Sequence, residues 1–339
     1  MPDTVHSSGP AAASGDWQEQ LRNVVTRADQ LLELLGLDPA AVGYCEGAAS
    51  VFALKVPRSF VRRMRPGDPR DPLLLQVLAQ ACELRRDPLY LRDPVGEIGR
   101  ANPQAGVIHK YRGRVLLIVS GGCAVNCRYC FRRHFPYGDN QNSRLQWRDT
   151  LRYVARDQSI TEVILSGGDP LVATDQTLAE LVAQIGAMTH VHRVRIHSRV
   201  PIVLPDRVTD SLLHAIRHPR LQTVMVLHCN HANEIDETVV LAMDRFRRRG
   251  IHLLNQAVLL AGVNDSVQAQ VDLSERLFDA NILPYYLHLL DKVEGAAHFD
   301  VSEQRAKELI AAVIKLLPGY LVPKLVREIP GEASKTRLG

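Results

Sequence analysis

The sequence contains 339 residues, of which 46% are hydrophobic, and its 41 basic and 37 acidic side chains leave a net charge of +4. This composition excludes a disordered chain and allows one large α/β domain or two smaller ones. The balanced charge gives no indication of nucleic-acid binding, and without a run of 18 consecutive apolar residues the sequence predicts no membrane span.

The first part of the chain predicts a leader followed by helices. Residues 1–16 are rich in Ser, Ala, Gly and Pro and carry neither a basic nor an apolar segment, so they are predicted to be a disordered leader rather than a signal peptide. Residues 17–108 are predicted to form a helical N-terminal region that packs against the rest of the chain. Its predicted helical stretches are Trp17–Leu37, Phe60–Gly67 and Pro72–Leu84.

Three of the six cysteines, Cys123, Cys127 and Cys130, occupy one loop with the spacing C-x3-C-x2-C. Three thiolates at this spacing can bind one iron-sulfur cluster, and because no fourth cysteine lies nearby, one iron is left open to a further ligand. The alternative is a structural zinc site, which needs four ligands and would have to recruit His134 or Cys229. The other cysteines are scattered and suggest no disulfide framework, which indicates a reducing, cytoplasmic compartment.

Between residues 109 and 317, short apolar runs rich in β-branched residues alternate with amphipathic stretches. This alternation is typical of parallel strands joined by helical crossovers, and six units are too few for a closed eight-stranded barrel. The sequence therefore predicts an α/β fold, an open partial (β/α)6 TIM-like barrel, followed by a C-terminal segment over residues 318–339. The predicted strands are Val115–Val119, Glu162–Leu165, Val194–Ile196, Thr223–Leu227, Leu253–Leu259 and Tyr285–Leu289, and the predicted helices are Leu178–Met188, Val208–Ile216, Glu237–Arg249, Val267–Phe278 and Ser302–Leu317.

Polar or glycine-rich residues follow most of these strands. The cysteine loop follows the first strand, and the later strand ends carry Ser166–Pro170, Ser198 with Arg199, His228–His231 and Asp291. Functional residues of β/α barrels lie at the C-terminal ends of the strands. The sequence therefore predicts one site at this end of the barrel.

The aromatic Tyr129 completes a C-x3-C-x-aromatic-C motif that resembles the radical S-adenosylmethionine (SAM) superfamily. Most of the chain, from about residue 109 to residue 335, also resembles the lysine 2,3-aminomutase family, because several short motifs occur in the order found there. They are His109–Leu117, Phe131–Arg133, Leu165–Leu171, Ser198–Pro205, Asn230–Glu234, Asn255–Asp265 and Pro284–Asp291 with His298 and Phe299. The resemblance implies a barrel of the radical SAM type and an isomerase that converts L-α-lysine to β-lysine by 2,3-amino migration.

The same resemblance implies three cofactors: a [4Fe-4S] cluster on the three cysteines, SAM, and pyridoxal 5′-phosphate (PLP). In the family a lysine in a C-terminal glycine-rich segment carries PLP, and Lys335 stands there as the implied catalytic residue. Arg114 and Lys110 stand where the family has two arginines near the PLP phosphate, and Lys110 keeps the charge without the bidentate fork. The implied SAM contacts are Ser166, Gly167, Gly168, Asp169, His228, Asn230 and Gln256.

Implied substrate contacts follow from the two charged ends of lysine. Arg132 stands at the family position that binds the carboxylate, and Asp291 at one of the two positions that hold the side-chain ammonium. Glu328 occupies the second of these positions, where free-lysine aminomutases have Asp. Its longer side chain keeps the charge but moves the carboxylate by about one methylene.

The biological role is also predicted from resemblance. The chain ends four residues after Lys335, and Arg327–Thr336 resembles a short branch of the family that supplies β-lysine for modification of elongation factor P. Without a G-x4-G-K-[S/T] motif in this sequence, we expect a separate ATP-dependent ligase to attach the β-lysine. The predicted electron donor is a flavodoxin or ferredoxin, and the oligomeric state is left open.

Three alternatives remain from the sequence. A metabolic lysine 2,3-aminomutase that releases free β-lysine shares the reaction but not the role. A radical SAM enzyme that modifies RNA would need a basic face or an RNA-binding appendage, and neither it nor a non-catalytic iron-sulfur protein would need Lys335.

Overall fold

The computed structural model describes residues 16–140 and 144–338, so residues 1–15 of the predicted leader lie outside the described residues. Its helices are α1 (Trp17–Arg22), α2 (Ala28–Leu35), α3 (Glu46–Val51), α4 (Arg58–Val61), α5 (Pro72–Leu75), α6 (Tyr137–Asn140), α7 (Arg144–Arg156), α8 (Asp175–Gly186), α9 (Val200–Val203), α10 (Asp210–Ala215), α11 (Glu237–Arg248), α12 (Val267–Asp279) and α13 (Glu303–Val313). Its strands are β1 (Val107–Tyr111), β2 (Arg114–Ser120), β3 (Glu162–Gly167), β4 (Arg193–Ser198), β5 (Gln222–Leu227), β6 (His252–Val258), β7 (Leu283–His288), β8 (Lys324–Arg327) and β9 (Thr336–Arg337).

The strands form one sheet in chain order from β1 to β9. Strands β2 to β8 are parallel neighbours, whereas β1 and β9 pair antiparallel with β2 and β8. Within the described part of the chain, β1 and β9 are the two ends of this order, so the barrel is open. Six β/α units connect β2 to β8, and the predicted open partial barrel is confirmed.

The six predicted strands correspond to β2 to β7, with boundaries that differ by two residues or fewer. Sequence reasoning missed β1, β8 and β9. Strand β8 has four residues and β9 has two, which is too short for a pattern of apolar alternation to stand out. These missed strands carry Lys110 and flank Glu328 and Lys335, so they position part of the predicted site.

The prediction of one continuous helix over Trp17–Leu37 is wrong. Helix α1 ends at Arg22 and α2 begins at Ala28. Between them, Val25 exchanges backbone hydrogen bonds of 2.8 and 2.9 Å with Val56. The run Val24-Val25-Thr26 is β-branched and favours extended backbone, which explains the break. The other two predicted stretches contain only the short helices α4 and α5 and a 3-10 turn at Ala81–Leu84.

One hydrophobic core joins the N-terminal helices to the barrel. Leu31 of α2 and Phe60 of α4 belong to the same buried cluster as Leu117 of β2 and Ile196 of β4. Burial of such side chains stabilises the fold by roughly 1.5 to 3 kcal/mol each. The division of the chain at residues 16, 108 and 317 stays a prediction.

The N-terminal region also contacts loops at the C-terminal ends of the strands. Leu91 accepts a backbone hydrogen bond from Glu294 and donates one to Lys292, and Asn126 of the cysteine loop donates one to Lys55. The N-terminal region therefore closes one side of the barrel mouth. In the described ranges, no helix combines the length and apolarity needed to cross a bilayer.

Candidate active site

A single cavity at the barrel mouth is lined by every residue that the sequence assigned to a site. They are Lys110, Arg114, Cys123, Cys127, Cys130, Arg132, Ser166, Gly167, Gly168, Asp169, His228, Asn230, Gln256, Asp291, Glu328 and Lys335. They come from the ends of different strands, as expected when parallel strands end at one edge. The individual role of each residue stays a prediction.

The cysteine loop is held in place by a buried ion pair with the N-terminal region. Arg128, in the loop, is fully buried, and its Nε and Nη2 donate to the Glu83 carboxylate at 2.8 and 2.5 Å. Arg133 donates to the same carboxylate at 3.2 Å. Glu83 of the N-terminal region therefore binds two arginines that flank Cys130, the third cysteine of the loop.

The three loop cysteines carry free thiols that are partly exposed to the cavity. Burial raises the pKa of the Cys130 thiol to about 11, and the neighbouring Cys127 adds to this shift. Over the part of the chain that the structure covers, no three His, Cys, Asp or Glu side chains converge on a point that could hold a single metal ion. Three thiols from one loop suit a cluster, in which each sulfur binds its own iron, whereas a structural zinc ion takes four protein ligands.

The glycines after β3 lie directly against the cysteine loop. A Cβ at Gly168 would lie 2.5 Å from the carbonyl oxygen of Gly122, and one at Gly167, where φ is 121°, would lie 2.4 Å from that of Ser120. The amides of Gly168 and Asp169 donate to the same two carbonyl groups at 2.7 and 2.8 Å. This close backbone contact requires glycine at both positions.

The side chains of Asp169 and Asn230 are already occupied by hydrogen bonds within the protein. Asp169 accepts from the Ser198 hydroxyl and from the amides of Leu171, Arg199 and Val200. Burial raises its pKa to about 6, although these hydrogen bonds act in the opposite direction.

The Asn230 amide group donates to Gln76 and Tyr129 and accepts from the amide of Val258. Asp169 and Asn230 therefore shape the strand ends, while Ser166, His228 and Gln256 also line the cavity.

Neutral imidazoles line the interior of the barrel. Burial, together with the cations Arg199 and Arg132, lowers the pKa of His228 to about 3. Burial also lowers the pKa of His197 and of His288 well below the usual range. In each of these two rings Nε2 is buried without a hydrogen-bond partner, so the interior offers polar atoms for a bound group.

Charged side chains alternate along one wall of the cavity. Lys335 Nζ lies 2.7 Å from Glu328, and Lys110 Nζ lies 3.3 Å from Glu328 and 3.5 Å from Glu97. Burial alone would raise the pKa of Glu328, but the two ammonium groups lower it to about 2. Glu328 is therefore ionised and already neighbours the predicted PLP lysine.

Arg132 is paired with Glu97, a residue that sequence reasoning missed. Its Nε and Nη2 donate to the two Glu97 oxygens at 2.6 and 2.9 Å, and its Nη1 donates to Ser166 Oγ and to the Gly167 carbonyl oxygen at 3.2 Å each. Both partners are buried, at 8% and 4% exposure. Four of the five guanidinium N–H groups are thus engaged.

Two further arginines line the cavity, and among the described residues one lacks an acidic partner and the other has one. The guanidinium of Arg114 stacks on the Tyr111 ring at 4.5 Å and has no acidic partner in the described part of the chain. Arg195, which sequence reasoning missed, lines the same cavity and pairs with Glu162 at 2.5 Å. The alternation of polar and apolar residues in Arg193-Val194-Arg195-Ile196 of β4, which places every second side chain on the same face, could have indicated it.

Comparison with known proteins places this site in a family. The Radical SAM superfamily model matches residues 117–271. The L-lysine 2,3-aminomutase of Escherichia coli (strain K12) is 52% identical over 95% of this chain and 94% of that protein. The chain belongs to the lysine 2,3-aminomutase family. Proteins of the same name from Haemophilus influenzae and Clostridium subterminale are 46% and 32% identical, over 95% and 77% of their own lengths.

As a member of this family the enzyme is an isomerase, and its cofactors are a [4Fe-4S] cluster, SAM and PLP. The residues of the cavity fit these groups. Among the described residues, Cys123, Cys127 and Cys130 are the cysteines that line the cavity, and three thiols suit a cluster with one open iron. The amine of Lys335 and the unpaired guanidinium of Arg114 suit the carbonyl and phosphate of PLP.

Proposed function

We propose that this enzyme converts L-α-lysine to β-lysine in the cavity at the barrel mouth. The observation that carries the proposal is that three thiols, Lys335 and charged groups suited to both ends of lysine line the same cavity. The cation of Arg132 suits the substrate carboxylate, and the carboxylates of Asp291 and Glu328 suit its side-chain ammonium. A second acidic group on the substrate would face these two carboxylates, which disfavours glutamate.

Cys123, Cys127 and Cys130 are the proposed cluster ligands. SAM is proposed to bind beside them, against the Ser166–Asp169 turn and the side chains of His228 and Gln256. Because their side chains are saturated, Asp169 and Asn230 contribute by holding the backbone of the strand ends. The contact of Gly168 with Gly122 supports one continuous binding surface for both groups.

Lys335 is the proposed point of attachment for PLP. Arg114 is better suited to the phosphate than Lys110, because Lys110 is already paired with Glu97 and Glu328. Lys335 itself pairs with Glu328, so one carboxylate serves the PLP lysine in the free protein and is proposed to serve the substrate ammonium later.

When bound, the reduced cluster with SAM supplies a radical that removes hydrogen, and PLP supplies a carbonyl that holds the amine and spreads the unpaired electron. The protein's part is to position the substrate at both ends and to exclude water. Arg132 is proposed to orient the carboxylate through the one guanidinium N–H group that Glu97, Ser166 and Gly167 leave unengaged. Asp291 and Glu328 are proposed to hold the ammonium. Tyr137, whose hydroxyl donates to the Gly167 carbonyl at 2.9 Å, helps to close the wall beside Arg132.

The reaction is tested by incubating the anaerobically reconstituted full chain with L-lysine, SAM and a low-potential reductant. We expect β-lysine by mass spectrometry, and visible absorbance from PLP bound to Lys335. A Lys335→Ala variant should lose both signals but keep its iron. No β-lysine from a protein with full iron and PLP content would overturn the proposed reaction.

We further infer that the β-lysine is used to modify elongation factor P. The resemblance of Arg327–Thr336 to the short branch of the family supports this role. It implies a separate ATP-dependent ligase, a flavodoxin or ferredoxin as electron donor, and elongation factor P as the final acceptor.

The role is tested by mass spectrometry of elongation factor P from a deletion strain. We expect the factor to lack its β-lysine, and supplied β-lysine to restore it. A modification that persists in the deletion strain would instead favour a metabolic lysine 2,3-aminomutase that releases free β-lysine.

A further inference from the structure

Arg199, at the end of β4, contacts one of the proposed cluster ligands directly. Its side chain is buried, with 5% of the residue exposed. Its Nη1 donates to Cys127 Sγ at 2.7 Å and to the Tyr129 hydroxyl at 2.7 Å. Among the residues described, no other cationic side chain donates a hydrogen bond to a loop thiol. Sequence reasoning noted Arg199 only as a polar strand end.

The guanidinium is fixed on its other side as well. Nη2 donates to Gln76 Oε1 at 2.7 Å and to the Glu234 carboxylate at 3.0 Å. The backbone amide of Arg199 donates to Asp169 at 2.8 Å. Since Glu234 is fully buried, this cation cannot move away from Cys127 without leaving a buried carboxylate unpaired, which is costly.

A buried cation beside a ligand sulfur changes the energetics of cluster reduction. One-electron reduction adds one negative charge to the cluster and its thiolate ligands. A positive group that donates a hydrogen bond to such a sulfur stabilises the reduced form, and does so more strongly in a buried site than in water. Hydrogen bonds of this kind are one of the levers by which proteins set cluster potentials.

We propose that Arg199 is a positioning residue that raises the reduction potential of the cluster through Cys127. The inference rests on the proposed cluster ligands. It assigns Glu234 the opposite influence, because this carboxylate partly neutralises the Arg199 cation. The pair therefore sets how readily an electron from a flavodoxin- or ferredoxin-class donor reaches the cluster.

The test is a redox titration of the anaerobically reconstituted full chain without SAM, followed by electron paramagnetic resonance. We expect Arg199→Gln to make reduction about tenfold less favourable, which is a potential more negative by about 59 mV for one electron. Arg199→Lys, which keeps the charge but not the fork, should shift the potential less. Glu234→Gln should shift it in the positive direction.

Arg207→Lys is the matched control. Arg207 is fully buried and donates to the carbonyl groups of Leu171 and Ala173, but it does not line the cavity. The control should titrate like the wild type. Opposite shifts for Arg199→Gln and Glu234→Gln cannot come from a general loosening of the loop, which would move both potentials the same way.

The proposal is overturned if the Arg199 and Glu234 variants keep wild-type potentials at full iron content, or if both shift in one direction. If Arg199→Gln loses its iron, Arg199→Lys and Glu234→Gln decide by the same criterion. A wild-type protein without any iron-sulfur signal would instead overturn the proposed cluster, so the two failures are distinct.

Discussion

Among single residues, Asp291 has a charge state that can control substrate binding. Burial raises its pKa to about 7, although the ammonium groups of Lys335 and Lys110 act in the opposite direction. Below this pKa the carboxyl group is neutral and gives up its attraction for the ammonium of lysine. Above it the group is ionised and binds the ammonium.

We therefore expect the affinity for lysine to weaken as the pH falls through about 7. Asp291→Asn should remove this pH dependence. At pH values above the step it should weaken lysine binding by roughly 2 to 5 kcal/mol, since a desolvated ion pair loses one partner. Calorimetric titration of the anaerobic holoenzyme with lysine measures both effects. Because PLP takes up the amine of Lys335 there, and the Lys335 ammonium lowers the pKa of Asp291, the step in the holoenzyme should lie above rather than below a pH of about 7.

Glu328→Gln serves as the control. Because the pKa of Glu328 is held near 2, this variant should bind lysine more weakly yet keep a pH step that belongs to Asp291. The step should lie at lower pH than in the wild type, because the Glu328 carboxylate helps to raise the pKa of Asp291. A pH step that survives in Asp291→Asn would contradict the assignment of that step to Asp291.

The sequence motifs predicted which residues line the cavity, but they did not predict which side chains pair with one another. Glu97 lies in the N-terminal region, outside any motif, and its bidentate contact with Arg132 depends on a loop whose path only the fold defines. The same holds for the contact of Arg199 with Cys127, which joins residues 72 positions apart. Side-chain pairing of this kind carries no local sequence signal.

At the scale of elements, the end of β3 and the cysteine loop form one unit. Gly168→Ala would drive a Cβ into the Gly122 carbonyl oxygen, which lies 2.5 Å from its ideal position. The Gly122 oxygen belongs to the backbone and the Cβ is fixed directly to it at position 168, so neither atom can rotate away. We expect the variant to separate the two segments and to retain less iron after anaerobic reconstitution, as measured by iron quantification.

Gly122→Ala is the comparison for that experiment. It changes the same contact region, but its Cβ would meet only the Ser120 hydroxyl at 3.7 Å, an ordinary distance. This variant should keep wild-type iron content. Equal iron content in the two variants would mean that the β3 end and the loop separate without cost to the cluster.

The strands of the barrel were predictable because short apolar runs rich in β-branched residues recur between amphipathic stretches, a pattern that depends little on distant contacts. The N-terminal helices were not. Apolar spacing over Trp17–Leu37 suits one helix, yet the pairing of Val25 with Val56 interrupts it. Tertiary contacts outweigh helix propensity there, because isolated short helices are marginal in water.

At the scale of the whole molecule, the N-terminal region and the barrel share the active site. Glu83 is the joint, since it accepts hydrogen bonds from Arg128 and Arg133 of the cysteine loop while lying in the N-terminal region. The side chains of all three are 2% exposed or less. The cluster loop therefore depends on a residue far from the barrel in sequence.

Glu83→Gln should destabilise both regions together, because it leaves two buried guanidinium groups without their anion. Removing one partner of a buried ion pair costs about 3 to 5 kcal/mol, and we expect the free energy of unfolding in urea to fall by this amount. The variant should also lose iron faster to a chelator, although Glu83 is no cluster ligand.

Asp149→Asn is the control for this prediction. Asp149 forms an exposed pair with Arg152, so this substitution should lower the free energy of unfolding by less than about 1 kcal/mol. Equal losses in the two variants would mean that the N-terminal region does not support the cluster loop.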